Sequence, residues 1–494
     1  VLATASGAVL AMAYPRLDWS GTAWVALAPV LAVALTRGPL AALGWGWLAG
    51  LSFFLLLLHW LNFTFRVYSA IPWPLTWGPT LLLAGYCALW TGLVATAVSW
   101  IGLRRGSGWA LLAAPFLWVA AEWVRGWLLE GFPWGSLGYS QYRQLAVIQI
   151  AELAGVNGVS LVIAAVNAAL AGVLLLPRRR AVAGLSLAGM LVAGMLGFGT
   201  WRLHEEDPPG EVTIAVMQPA IEQPLKWSPA HTAATLAIYG DLTRAAAREH
   251  PGLIVWPETA SPTLLRQDPG LLRALTDLAA TSKVPLLVGS VDAGDGARGQ
   301  ELRNTAFLLT ERGIIERYDK IHLVPFGEYV PLSGVIGFVR NWADFISELT
   351  PGSRTVVFPG PPAPFGVVIC YEGVFPALVR RFVQNGARLL VNMTNDAWFG
   401  RTSGPLQHLA MYSFRAVEHR TAVVRAANTG VSAFIAPSGR IVKTLGLFER
   451  GNLISRVPLR ARQTLYTRLG DWLGWVALGV SGAGLGAAAL GRAR

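Results

Sequence analysis

The sequence predicts two kinds of structure in one chain: a multi-pass α-helical membrane domain and an α/β domain with buried strands. Three observations predict it. Hydrophobic residues make up 53% of the chain and charged residues only 14%, against about 25% charged in an ordinary soluble domain. Apolar runs long enough to cross, or nearly cross, a bilayer crowd the N-terminal part and return once near the end. Between them, short β-branched runs alternate with helical patterns, as in a layered α/β domain. With 494 residues there is room for both.

The apolar runs lie at about 2–13, 21–36, 39–61, 79–103, 109–129, 157–176, 181–199 and 471–490. The first is short, lacks the basic flank of a secretory signal, and reads as a retained anchor. The chain opens at Val1 rather than Met, which leaves room for a longer first helix. If all eight runs cross, then Arg37, Arg104, Arg105, Arg178, Arg179, Arg180, Arg492 and Arg494 all fall on one side. The positive-inside rule makes that side cytoplasmic. The region between the last two runs is then extracytoplasmic. Segments 62–78 and 130–156 become external, and their Trp, Tyr, Pro and Gly suit interfacial loops or the rim of a lipid entrance.

The net charge of +12 belongs with those arginines and anionic headgroups, because no aromatic-basic nucleic-acid motif occurs. No charged residue within a run marks an obvious transport pathway. The expected division is 1–207 for a bundle of about seven helices, 208–460 for the extracytoplasmic domain, and 461–494 for a last helix with a short cytoplasmic tail. Pro208-Pro209-Gly210 is the boundary signal.

Within that domain, strands are expected at 212–218, 252–258, 284–290, 304–310, 313–319, 365–372 and 388–395. Helices are expected near 230–249, 270–282, 376–386 and 405–420. Strands 432–437 and 440–445 close it around the turn Pro437-Ser438-Gly439.

Polar groups stand where three of those buried strands end. Glu258 follows an apolar strand in Trp256-Pro257-Glu258-Thr259, at the sheet edge where α/β sites assemble. Taken alone it is equally a helix cap or a solvated carboxylate. Lys320, in YDKIHLVPFGEYVP (318–331), ends a hairpin strand. Taken alone it is a surface lysine or an ion-pair partner of Asp319, and the nearby His322 reads as structural. Cys370 follows three β-branched residues in Val367-Val368-Ile369-Cys370, with Pro376 placed for the first turn of a helix. Such a junction can expose a thiol and favour its thiolate, or bury an inert cysteine. The other cysteine, Cys87, sits in an apolar run and reads as a small buried hydrophobe. Two such distant cysteines make no disulfide framework or zinc site.

Together the three residues make chemical sense. A thiol needs a base, which Glu258 supplies. Its attack on a carbonyl develops an oxyanion, for which Lys320 and the N–H of Tyr371 are the candidate donors. Nothing in the set calls for a metal, nucleotide or organic cofactor.

The order Glu, Lys, Cys in WPET, YDKIHLVPFGEYVP and ICYEGVFP resembles the nitrilase superfamily. With the flanking apolar runs, the chain resembles more narrowly the apolipoprotein N-acyltransferase family, over nearly its whole length. The resemblance implies a nitrilase-like αββα sandwich in a protein of the bacterial inner membrane. It implies a fatty acyl chain taken from a phospholipid, held as a Cys370 thioester, and passed to the α-amino group of a diacylglyceryl cysteine at an apolipoprotein N-terminus. It also implies Glu258 as base, Lys320 as oxyanion stabiliser, and Glu328 as a supporting carboxylate that orients Lys320. Tyr371 and Glu372 match the residues beside the nucleophile. Trp227 matches a tryptophan associated with lipid or substrate, and Asn392, Asn395 and Trp398 match the cleft lining.

The apolar segment 332–346 reads either as a lid that admits acyl chains, with Arg340 near headgroup phosphate, or as a helix packed on the domain. The expected protein is a monomer. Rival readings are a membrane-tethered amidase using the same triad, acyl transfer to another acceptor, and a non-catalytic transporter or scaffold.

Overall fold

The computed structural model describes residues 1–205, 210–296, 299–331, 348–360, 363–460 and 462–490. The boundary signal at 208–209 and the segment 332–346 with Arg340 lie outside them. The chain divides into two compact units. One comprises Val1–Asn62, Trp73–Glu206 and Thr464–Arg494; the other comprises Phe63–Pro72 and Asp207–Gln463.

In the first unit, every apolar run falls on helix. Pro39–Leu57, Trp77–Arg105, Ser107–Arg125, Ala151–Leu175, Arg178–Leu203 and Trp472–Leu490 are long and apolar enough to cross a membrane, whereas Leu2–Ala11 and Ser20–Thr36 are shorter. The second run is interrupted where Pro29, in the first turn of Ala28–Thr36, offers no N–H to continue the preceding turn. Small residues bring helices together without a hydrophobic drive from water. A Cβ on Gly46 of Pro39–Leu57 would lie 2.7 Å from that of Ala95 and 2.9 Å from the Thr91 carbonyl on Trp77–Arg105.

Three charged residues are buried here, Glu122, Arg125 and Arg202. Glu122 and Arg125, on the last turn of Ser107–Arg125, are 6% and 2% exposed. Glu122 accepts from Trp118 Nε1 at 2.8 Å, the Leu137 N–H at 2.6 Å and Ser160 Oγ at 2.7 Å. Arg125 donates to the carbonyls of Phe132 at 3.0 Å and Trp134 at 2.6 Å. Together they fasten the stretch 131–142, whose Trp134, Leu137, Tyr139 and Tyr142 are buried. An interfacial loop or the rim of a lipid entrance was expected there; its aromatic residues are drawn inward, and its backbone polar groups have these two partners.

Among the described residues, the second unit contains twelve strands. They are β1 (Glu211–Gln218), β2 (Leu253–Val255), β3 (Leu286–Gly296), β4 (Gly299–Thr310), β5 (Gly313–Asp319), β6 (Val357–Phe358), β7 (Phe365–Ile369), β8 (Leu389–Thr394), β9 (Val423–Ala427), β10 (Ser432–Ile435), β11 (Ile441–Leu445) and β12 (Gly451–Pro458). They form two six-stranded sheets, ordered β12-β1-β2-β3-β4-β5 and β11-β10-β9-β8-β7-β6. In each, three adjacent strands are parallel, β1-β2-β3 and β7-β8-β9.

Both faces of these central strands are covered, so their sequences read as continuous apolar runs. Ala215, Met217, Ile254, Leu286 and Val288 pack against Leu271, Leu275 and Ala279 of helix Pro269–Ser282 and Tyr239 of Thr232–Ala247. Helices Pro376–Gln384 and Gly404–His419 serve the other sheet. This is the nitrilase-like αββα arrangement. β6, β9 and β12 were not foreseen. β9 escaped because Arg425 interrupts its apolar run, and that arginine is wholly buried.

Phe63–Pro72 belongs to this unit although it lies between lipid-type runs. Thr64 Oγ1 donates to the Trp398 carbonyl at 2.8 Å, and the Tyr68 hydroxyl to that of Ala397 at 3.2 Å. The Tyr68 and Trp398 rings meet edge to face at 4.9 Å. Gly400 has φ +55°, and a Cβ there would overlap the Phe63 ring.

Candidate active site

Glu258, Cys370 and Asn395 follow the C-terminal ends of parallel strands β2, β7 and β8, the edge at which α/β folds place their sites. After β2, Trp256 is buried, stacked on Tyr239 at 4.3 Å and hydrogen-bonded to Thr243 Oγ1 at 3.0 Å. That anchors the turn that follows. Gly289 on β3 lets the turn lie close, since a Cβ there would collide with the Pro257 carbonyl. Glu258 emerges 7% exposed. Its Oε1 accepts from Asn304 Nδ2 at 2.7 Å and faces Lys320 Nζ at 3.4 Å, while Oε2 accepts the Asn395 N–H at 2.8 Å.

Lys320 is 1% exposed, which excludes a surface role. Asp319 is not its partner: it takes Thr305 Oγ1 at 2.8 Å and faces Arg303 at 3.5 Å and Arg317 at 3.8 Å. Lys320 Nζ lies 2.8 Å from the Glu328 carboxylate instead. Burial pulls the ammonium down, but Glu328 and Glu258 together outweigh burial and hold it above its ordinary value. Glu328 also accepts from Asn304 Nδ2 at 3.0 Å and the Val324 N–H at 2.8 Å.

Cys370 is 8% exposed and has φ +52°, a left-handed conformation that costs a non-glycine residue energy. Its carbonyl accepts from the Tyr412 hydroxyl at 2.9 Å. Two residues on, Glu372 ties this turn to the strand that carries Lys320. Its Oε2 accepts the Ile369 N–H at 2.7 Å. Its Oε1 accepts the Tyr318 hydroxyl at 2.6 Å and the Ile321 and His322 N–H groups at 2.7 and 3.1 Å. Burial nonetheless pushes Glu372 up to about 7.

After β7 the expected helix with Pro376 in its first turn is present. A short 3₁₀ turn, Cys370–Val374, intervenes, and the α-helix begins at Pro376. Burial, then the Glu258 charge, push the Cys370 thiol up; Lys320 and a hydrogen bond with Thr394 oppose them without prevailing. These surroundings favour the neutral thiol over a preformed thiolate.

The other expected site residues divide into two groups. Asn392 is fully buried; its Nδ2 donates to the Val368 carbonyl at 3.1 Å and its oxygen accepts from Arg425. Asn395 donates from Nδ2 to Gln223 at 2.7 Å and accepts from Asn428 at 3.0 Å. Both side-chain amides are engaged within the protein. Trp227 is 45% exposed, and Trp398 and Tyr371 are half-buried. His322 packs its ring on Phe375 at 3.7 Å.

Three contributors were not anticipated: Asn304, which bridges Glu258 and Glu328; Lys226; and Arg425. Arg425 donates to Asn392, to Asp396 at 2.6 Å and to the Val431 carbonyl at 3.2 Å, and lies over the Tyr412 ring at 5.1 Å. A charged residue inside the otherwise apolar VVRAA was the available signal. Among the described residues, no group of three or more His, Cys, Asp or Glu is arranged to hold a metal ion.

Residues 6–169 match the family model for the apolipoprotein N-acyltransferase N-terminal domain, and residues 213–466 match that for carbon-nitrogen hydrolase. An apolipoprotein N-acyltransferase of Geobacter metallireducens is 39% identical, covering 99% of this chain and 94% of the relative. The chain belongs to the apolipoprotein N-acyltransferase family. A second apolipoprotein N-acyltransferase, from Allorhizobium ampelinum, is 34% identical over 91% of this chain and 88% of its own. Among solved structures, an amidase from Nesterenkonia sp. is 21% identical and covers 51% of this chain and 93% of that one, with a TM-score of 0.38.

Proposed function

We propose that this chain is an acyltransferase of the bacterial inner membrane. It takes a fatty acyl chain from a phospholipid as a Cys370 thioester and delivers it to the α-amino group of a lipoprotein's N-terminal diacylglyceryl cysteine. The observation that carries the reading is the convergence of Glu258, Lys320 and Cys370 at one sheet edge, in a chain of this family with helices fit to span a membrane.

In the first half-reaction, Glu258 accepts the thiol proton as Cys370 Sγ attacks the ester carbonyl. The tetrahedral oxyanion forms against the Lys320 ammonium and the Tyr371 N–H. Collapse breaks the acyl C–O bond, and Glu258 returns the proton to the departing lysophospholipid oxygen. In the second, the neutral acceptor amine attacks the thioester, Glu258 accepts its proton, and the Cys370 thiolate leaves and is reprotonated. Such a covalent relay gives ping-pong kinetics. Glu328 keeps Lys320 charged and aimed, and Glu372 keeps the nucleophile turn in register with the lysine strand. Trp227 and Trp398 offer aromatic surface to lipid, and Arg340 a cation to headgroup phosphate.

The enzyme works as a monomer with its α/β unit on the extracytoplasmic side, an orientation that the arginine distribution supports. Neither half-reaction needs a cofactor.

Intact-mass spectrometry of the purified protein with phospholipid, beside Cys370→Ala, tests this. A fatty-acyl increment in wild type alone, discharged by a diacylglyceryl-cysteine peptide, is expected. Discharge by water at the same rate without the peptide would favour an amidase. Absence of any increment would remove Cys370 as the nucleophile.

A further inference from the structure

Lys226 is a lysine in an unusual place. It closes the four-residue helix Gln223–Lys226 and is 3% exposed, whereas the next residue, Trp227, is 45% exposed. Burying an ammonium is costly unless its protons find acceptors. The acceptors here are the main-chain carbonyl of Glu258 at 2.9 Å and Thr259 Oγ1 at 2.5 Å. Thr259 has φ +45°, strained for a β-branched residue and maintained only where the surroundings impose it. The other end of the same short helix is also fastened. Gln223 accepts from Asn395 Nδ2 at 2.7 Å, and the Asn395 N–H donates to Glu258 Oε2 at 2.8 Å.

We propose that Lys226 is a positioning residue for acyl transfer: it clamps the Glu258–Thr259 turn from behind and so fixes where the Glu258 carboxylate meets the thiol. The inference rests on the role given to Glu258 above. A neutral donor could hold the same carbonyl, but a cation does more. Proton transfer moves negative charge from Glu258 to Cys370 Sγ, and the Lys226 ammonium interacts favourably with charge at either place. It therefore stabilises the thiolate as it forms without opposing the base. Burial lowers Lys226 to about 8, so it remains largely charged at neutral pH.

The test compares Lys226→Met and Lys226→Arg with wild type in single-turnover thioester formation, followed by intact mass across a range of phospholipid concentrations in mixed micelles. Lys226→Met is expected to lower the maximal rate at least about tenfold, the scale of a lost electrostatic contact near developing charge. The half-saturating phospholipid concentration should stay unchanged. Lys226→Arg, which keeps the charge, should restore most of the rate. A wild-type maximal rate in Lys226→Met would overturn the proposal. So would a loss that Lys226→Arg fails to restore and that accompanies a lowered unfolding temperature, for Lys226 would then be a core residue only. If wild type forms no thioester, the assignment of Cys370 and Glu258 fails with it, an outcome separate from any behaviour of the variants.

Discussion

Lys320 Nζ lies closer to Glu328, at 2.8 Å, than to Glu258, at 3.4 Å. The lysine is thus committed to a carboxylate that is not the proposed base, which leaves Glu258 free to take a proton without first breaking a tight ion pair. Glu328→Gln removes that commitment and lets Lys320 draw onto Glu258. Thioester formation is expected to slow by about 10²-fold, as when an oxyanion donor is lost. Single-turnover mass measurements would check this, and Glu328→Asp should be milder. An unslowed Glu328→Gln would show that Lys320 needs no second carboxylate.

Tyr412 holds the carbonyl of the left-handed Cys370. In Tyr412→Phe, the His408 ring and, at 3.5 Å, Asn392 Nδ2 remain beside that carbonyl. The loss of one buried hydrogen bond should cost about 1 kcal/mol of stability. Acyl-enzyme formation should fall by more than the stability change implies, because the nucleophile's turn is loosened. Chemical denaturation and single-turnover rates on the same preparation would separate the two.

Asp396 gives a pH dependence with a definite sign. Burial alone would raise it, but Arg425 at 2.6 Å, with His408 and Thr394, holds it down at about 2, below its ordinary 3.8. Its contribution to stability is therefore fully present above the ordinary value and is lost as pH falls through about 2. Acid unfolding followed by tryptophan fluorescence should show this loss in wild type and less of it in Asp396→Asn. Arg425→Met, which leaves Asp396 buried without its cation, should destabilise by about 3–5 kcal/mol, and adding Asp396→Asn should recover part of that.

In the helical unit, Glu122→Ala leaves the Leu137 N–H and Ser160 Oγ without their acceptor. A loss of about 1–3 kcal/mol is expected for such orphaned groups, read as a lower unfolding temperature in detergent. Glu122→Gln keeps an acceptor and should retain most of the stability.

The sequence made legible what local patterns encode. Nine of the twelve strands fell near their predicted places because their apolar runs are short and bounded by turns. Glu258, Lys320 and Cys370 were visible as a set, through WPET, YDKIHLVPFGEYVP and ICYEGVFP, although each alone read equally well as structural. The partners of these residues were not visible. Asn304 lies within β4, and its value comes from two carboxylates 46 residues before it and 24 after. Lys226, Glu122 and Arg425 drew no reading from the sequence, since only the folded chain brings their hydrogen-bond partners within reach. For the thiol, the sequence left exposure and burial both open; burial and the Glu258 charge, which push it up, depend on tertiary packing.

The ten residues Phe63–Pro72 make the α/β unit discontinuous in the gene. Its Trp398–Gly400 loop rests on rings and hydroxyls encoded far upstream, between two membrane-type helices. The unit is therefore no detachable cassette. An excised fragment that starts after Arg202 would expose the underside of that loop, and a chimera joining this unit to a relative's helices would need a matching insert at a second crossover. The segment 63–72 must travel with the unit it completes.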